Sequence, residues 1–86
     1  MTRVRYQIHT EDRDNLDKLA SQCFTCCAIW RGVGYWQQTR EHAACIDIIG
    51  DAADRATVLW LAANIKSFNG QDAVYVTETP VTFTVI

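Results

Sequence analysis

The residues best suited to chemistry lie in one run, Arg31-Gly32-Val33-Gly34-Tyr35-Trp36, continued by Gln37, Gln38, Thr39, Arg40, Glu41 and His42. Two glycines one residue apart let another group come close to the backbone. Tyr35 and Trp36 offer faces on which a planar ligand can stack, and Arg31 and Arg40 offer charge-assisted hydrogen bonds to an anion. Glu41 adds a carboxylate. A G-x-G step without a third glycine and an opening helix is not a dinucleotide fingerprint. The same residues also suit a plain hairpin, with glycines meeting turn geometry and aromatics packing on a neighbour.

Cys23, Cys26, Cys27 and Cys45 raise the question of a metal. Cys23-x-x-Cys26-Cys27 is half of a zinc pattern, and a structural zinc site needs a second pair of ligands at similar spacing. Only Cys45, His42 and His9 are left to supply one. Cysteine also behaves as a small buried hydrophobe, so Cys23 is expected in the core of a helix and no metal or cofactor is expected. His42 beside Glu41, with Cys45 further along, has the residue types of a nucleophile and its base. On a strand, neighbours and residues three apart point to opposite faces, so these groups do not converge. No catalytic residue is assigned, and the chain is not expected to be an enzyme.

The 86 residues are expected to form one domain, 1–86, at 49% hydrophobic, 21% charged and net charge −2. That balance is too apolar and too weakly charged for disorder. A net-acidic chain is a poor partner for phosphate backbones, so nucleic acid is not expected. No apolar run approaches the roughly 20 residues of a membrane span. Met1-Thr2-Arg3-Val4-Arg5 lacks an apolar leader, which points to the cytoplasm.

The elements that must position these residues follow from periodicity. Val4, Tyr6 and Ile8 alternate with Arg3, Arg5, Gln7 and His9, the period of a half-buried strand. The acidic stretch 10–14 supplies helix-capping side chains, and Leu16, Leu19, Ala20 and Cys23 make a helical stripe ending near Phe24. Residues 26–31 read as a second strand, with Gly32-Val33-Gly34 a bulge or bend and residues 37–40 a loop or hairpin tip. Residues 44–49 form a third strand that stops at Gly50. Asp51 or Asp54 caps a second helix whose stripe is Val58, Leu61, Ala62, Ile65 and Phe68, ending at Asn69-Gly70. Residues 73–86 are strand-like, with Pro80 marking a bend or a free edge. The order predicts an α+β, ferredoxin-like βαββαβ sandwich, an antiparallel sheet with both helices on one face. Trp60 falls on the far side of its helix, and Tyr75 and Ile86 alternate away from the core. They are the candidate interface residues.

This order of elements, with Arg31-Gly32-Val33-Gly34 at the second strand, resembles the PII signalling proteins. Tyr35-Trp36 followed by Glu41 is similar to the related CutA-type proteins. The resemblance implies a ferredoxin-like subunit in a trimer, with small ligands in clefts between subunits. It also implies that Gly32 to Gly34 lie beside an adenine nucleotide and that the turn at Gly70 helps hold phosphates. The long PII loop is here reduced to about Tyr35 to Arg40, and no Lys or Arg follows Lys66. A buried polyphosphate without cations costs several kcal/mol of desolvation, so a neutral or singly charged ligand fits better than a triphosphate. The sequence therefore points to a small oligomeric binding or regulatory module. Its ligand site is Arg31, Gly32, Gly34, Tyr35, Trp36, Arg40 and Glu41, and its interface residues are Trp60 and Tyr75. The alternative is a phage or accessory protein that inhibits a protein partner through an aromatic patch.

Overall fold

Alternation fixes which face of each strand is buried. In the computed structural model, which describes residues 2–86, β1 (Thr2–Glu11) turns Tyr6, Ile8 and Thr10 to the interior. Its neighbour β3 (Thr39–Gly50) does the same with Ala44, Ile46 and Ile48. β2 (Ala28–Trp36) and β4 (Tyr75–Thr82) flank them, giving a four-stranded sheet in the order β2-β3-β1-β4 with every pair antiparallel. Helices α1 (Leu16–Cys23) and α2 (Arg55–Asn69) lie together on the interior face. They contribute Leu16 and Ala20, and Val58, Leu61, Ala62 and Ile65, to the core. This is the expected ferredoxin-like α+β sandwich. The expected domain begins at Met1, which lies outside the described residues. Among the described residues no helix is long and apolar enough to cross a membrane.

Among the described residues Tyr6 is the one buried aromatic side chain of the core, and its hydroxyl donates to the Asp51 carbonyl at 2.6 Å. A buried hydroxyl without a partner is costly, so this bond ties the middle of β1 to the turn entering α2. That turn is a 3₁₀ segment, Ala52–Asp54, closed by a reciprocal capping box between Asp51 and Asp54. Gly70 ends α2 in the left-handed conformation, φ 60°, as the sequence predicts. The two helix ends are pinned by Asn15 and Asn69, whose side-chain amides exchange hydrogen bonds at 3.0 and 3.2 Å.

Four local expectations are corrected. The acidic stretch 10–14 does not cap α1: its N-cap is Asn15, without a side-chain cap bond. Gly32-Val33-Gly34 is neither bulge nor bend but regular strand, with Gly32 opposite Ala43 and Gly34 opposite Glu41. The last strand ends at Thr82, and Pro80 sits inside it opposite Val4, which is tolerated because β4 is an edge. Phe68 is 70% exposed, because the stripe formed by Val58, Leu61, Ala62 and Ile65 already fills the space under α2. Ile46→Ala is expected to cost about 2–5 kcal/mol in urea unfolding, the range for emptying a packed core site. Phe68→Ala is expected to stay within about 0.5 kcal/mol, the range for surface changes.

Candidate functional site

The second face of the sheet has no helix over it, and the residues of opposite parity meet there. Across-strand partners share a face, so Arg5, Gln7, His9 and Glu11 of β1 stand beside Glu41, Ala43, Cys45 and Asp47 of β3. Trp30, Gly32, Gly34 and Trp36 of β2 and Tyr75 of β4 stand on the same face. The β2–β3 hairpin arches over this face. Its tip is a two-residue turn, Gln37-Gln38, with φ of 48° and 68°. Positive φ at both positions gives the turn the twist that suits a hairpin, at a cost that glycine or asparagine would not carry. The arch brings the Trp36 ring to 5.5 Å from the Tyr75 ring, centroid to centroid, at an interplanar angle of 49°.

Beneath that contact lies a cleft of about 500 Å³. Trp30, Trp36 and Tyr75 border it, Gly32, Gly34, Ala43 and Cys45 form part of its lining, and Glu11, Glu41 and Asp72 stand around it. The glycines make the room. A Cβ on Gly34 would lie 3.2 Å from the Ala43 Cβ, whereas one on Gly32 would meet nothing within 4 Å and would project into open space. Gln71 fixes the end of β1 beside the cleft: its side-chain amide donates to the Thr10 hydroxyl at 2.7 Å and accepts from the Glu11 N–H at 3.2 Å.

The sequence-selected residues divide between the two faces. Gly32, Gly34, Trp36 and Glu41 stand on the cleft face. Arg31 and Tyr35 border the cleft but share the parity of Ile29, which packs against the core. The Arg31 guanidinium donates to Asp12 at 3.0 Å and to Asp17 at 3.1 Å, so its charge is matched by acids next to α1. Arg40, opposite Tyr35, is not part of the cleft lining. Trp60 is 60% exposed on α2, at the rim of a separate groove with Leu19 and Phe68. Tyr75 faces the cleft. Trp30, His9, Glu11, Asp72 and Cys45 are cleft residues that the sequence reading did not select; strand parity through Trp36 and Gly34 was the signal that could have found Trp30.

Burial, and then the neighbouring Glu11 carboxylate, push the Glu41 carboxyl above its usual range. Burial pushes up the thiols of Cys45 and Cys23, which lowers the thiolate fraction available for nucleophilic work. Cys45 stands opposite His9, not His42, and the His9 ring nitrogen lies 3.2 Å from the Thr77 hydroxyl. Among the described residues no three His, Cys, Asp or Glu side chains gather as metal ligands would. Cys23 is half-buried against the core, and Cys26 and Cys27 are exposed.

The arrangement is a ferredoxin-like fold that solved structures, a PII-like protein among them, share. A DUF3240 family protein from Shewanella baltica OS155 superposes with a TM-score of 0.71 at 11% identity, covering 96% of this chain and 94% of that one. CPII, a nitrogen regulatory PII-like protein from Thiomonas intermedia K12 bound to ADP, AMP and bicarbonate, gives 0.63 at 13% identity, covering 99% and 98%. A phage SAM lyase in complex with S-methyl-5′-thioadenosine gives 0.65 at 16% identity, covering 90% and 80%. No family model and no curated protein matches the sequence.

On the same face Arg5 grips Asp47 with two nitrogens, Nε at 3.0 Å and Nη2 at 2.5 Å. The bond from Arg5 holds the Asp47 carboxyl below the usual carboxylate range. A depressed carboxylate pKa contributes stability that is present above the unfolded value, about 3.9, and is lost as pH falls through the folded value. Unfolding midpoints measured from pH 6 to pH 2 should therefore fall below about pH 4. In Asp47→Asn that part of the decline should be missing.

Proposed function

We propose that this chain is a small regulatory module that binds an adenosine-type ligand in the open-face cleft and performs no chemistry on it. The observation that carries the reading is the cleft itself: the rings of Trp30, Trp36 and Tyr75, with Tyr35 at the border, around a lining opened by two glycines. Cavities that bind small ligands are largely apolar, with a few polar groups to fix orientation. Two proteins of similar fold hold adenine compounds, ADP and AMP in one and S-methyl-5′-thioadenosine in the other, and a base stacked on Trp36 or Trp30 suits this geometry. The raised thiol of Cys45, opposite a His9 ring whose nitrogen is engaged with the Thr77 hydroxyl, supports binding over nucleophilic catalysis.

Gly32 provides the sharpest test. Gly32→Leu places a side chain into the cleft without meeting another atom at its Cβ. It should abolish binding of S-methyl-5′-thioadenosine in calorimetry while leaving the melting temperature unchanged or raised. Trp36→Ala should weaken the same ligand roughly 5- to 150-fold, the equivalent of about 1–3 kcal/mol for a stacked base. No heat of binding from adenosine or S-methyl-5′-thioadenosine at millimolar concentration would refute the reading.

We further infer a cytoplasmic homo-oligomer, a trimer by the PII resemblance, in which neighbouring copies meet through Trp60 on α2 and complete the cleft beside Tyr75. Trp60 at 60% and Tyr75 at 50% exposure support it, since apolar groups so placed usually mark contacts. Trp60→Glu should lower the mass measured by light scattering and leave the circular dichroism spectrum intact. The exposed pair Trp60 and Phe68 also favours the second reading, an accessory protein docking to a different chain. A mass unchanged by Trp60→Glu, with loss of a co-purifying protein, would select it.

A further inference from the structure

We propose that the ligand of the open-face cleft is a cation, with its positive centre held between the aromatic rings and the Glu11–Glu41 carboxylates. This rests on the reading of the cleft as a nucleoside site and adds the charge that the nucleoside carries. The charge balance around the cleft is one-sided. Glu11, Glu41 and Asp72 border it, and among the described residues Arg31 is the only Lys or Arg in its lining. Arg31 already answers Asp12 and Asp17 on the other side of the sheet. Arg13 pairs with Glu11 from outside the lining and its charge also reaches Glu41, so one arginine stands against two carboxylates there.

The rings point to the same ligand. Trp30 is 63% exposed and Trp36 is half-buried against Tyr75, so indole and phenol faces are offered together with carboxylates. The face of an aromatic ring attracts a cation by its quadrupole, most strongly when water is excluded. An anion would meet the same faces and the same carboxylates as repulsion. The raised pKa of Glu41 has the same origin: burial and the adjacent Glu11 penalise a second negative charge, and a bound cation would relieve that penalty. His9 is the other titratable group facing these carboxylates from β1, and its ring nitrogen is engaged with Thr77. A ligand carrying phosphates brings the wrong sign, and one carrying a sulfonium or ammonium brings the right one.

Two probes that differ by one methyl group and one charge isolate the effect. S-methyl-5′-thioadenosine is neutral, and its S-methylated derivative, 5′-dimethylsulfonio-5′-deoxyadenosine, is a cation of nearly the same shape. Calorimetry on the full chain at low ionic strength should show the sulfonium binding at least tenfold more tightly. Glu41→Gln, verified as folded by circular dichroism, should remove most of that preference. Raising the salt concentration should compress the difference in the wild-type protein. Equal or tighter binding of the neutral probe would overturn the charge assignment and leave the nucleoside reading standing. An undiminished preference in Glu41→Gln would also overturn it. Failure of both probes to bind would refute the nucleoside reading and the charge assignment together.

Discussion

The contact between Trp36 and Tyr75 determines the shape of everything on the open face. These residues belong to β2 and β4, the two outer strands of the sheet, with β3 and β1 between them. A flat sheet would hold them far apart, since neighbouring strands are spaced about 4.8 Å. They meet because the long β2–β3 hairpin coils over the face, and sheets of this kind twist and coil with a fixed hand. The ring pair thus converts a surface into a concavity, and the glycines opposite Ala43 and Glu41 keep that concavity empty of side chains.

The covered face works by different physics. There Tyr6, Ile8, Ile46 and Ile48 meet the stripes of α1 and α2 in a dry core whose one phenol is satisfied by the Asp51 carbonyl. The two faces share the same strands, so parity alone decides which face each residue of β1 and β3 joins. Gln71 is the link between them. Its buried amide sits at the end of β1 and holds the backbone of Glu11, whose side chain belongs to the cleft.

Much of the fold was legible because its signals are local. The alternation of Val4, Tyr6 and Ile8, the stripe from Val58 to Ile65, and Gly70 after α2 each announce an element without help from distant residues. The cleft was only partly legible. Gly32, Gly34, Trp36 and Glu41 were found as a cluster of types, but Arg31, Tyr35 and Arg40 were grouped with them by adjacency, and adjacency along a strand alternates faces. The glycines suggested a break in β2 that is not there, whereas the loop or hairpin tip read at residues 37–40 is present, narrowed to the two-residue turn Gln37-Gln38. Tyr75 was read as pointing away from the core, which it does. That it meets Trp36 depends on the coiling of the whole sheet, which no window of sequence contains.

The strand order also dictates how the molecule must be assembled in time. β1 is a central strand, yet both of its partners lie far along the chain: Val4 pairs with Gly50 on one side and with Pro80 on the other. Such non-local pairing requires long loops to close before the contacts that reward closure exist, which slows folding relative to chains built from local contacts. On a ribosome making roughly 5–20 residues per second, β1 emerges first and waits through the synthesis of α1, the β2–β3 hairpin and α2. The hairpin can form early, because it is local. Its arch cannot be closed until Tyr75 is made, so the cleft is the last feature of the fold to come into being, and a nascent chain leaves Trp36 without its ring partner until β4 arrives.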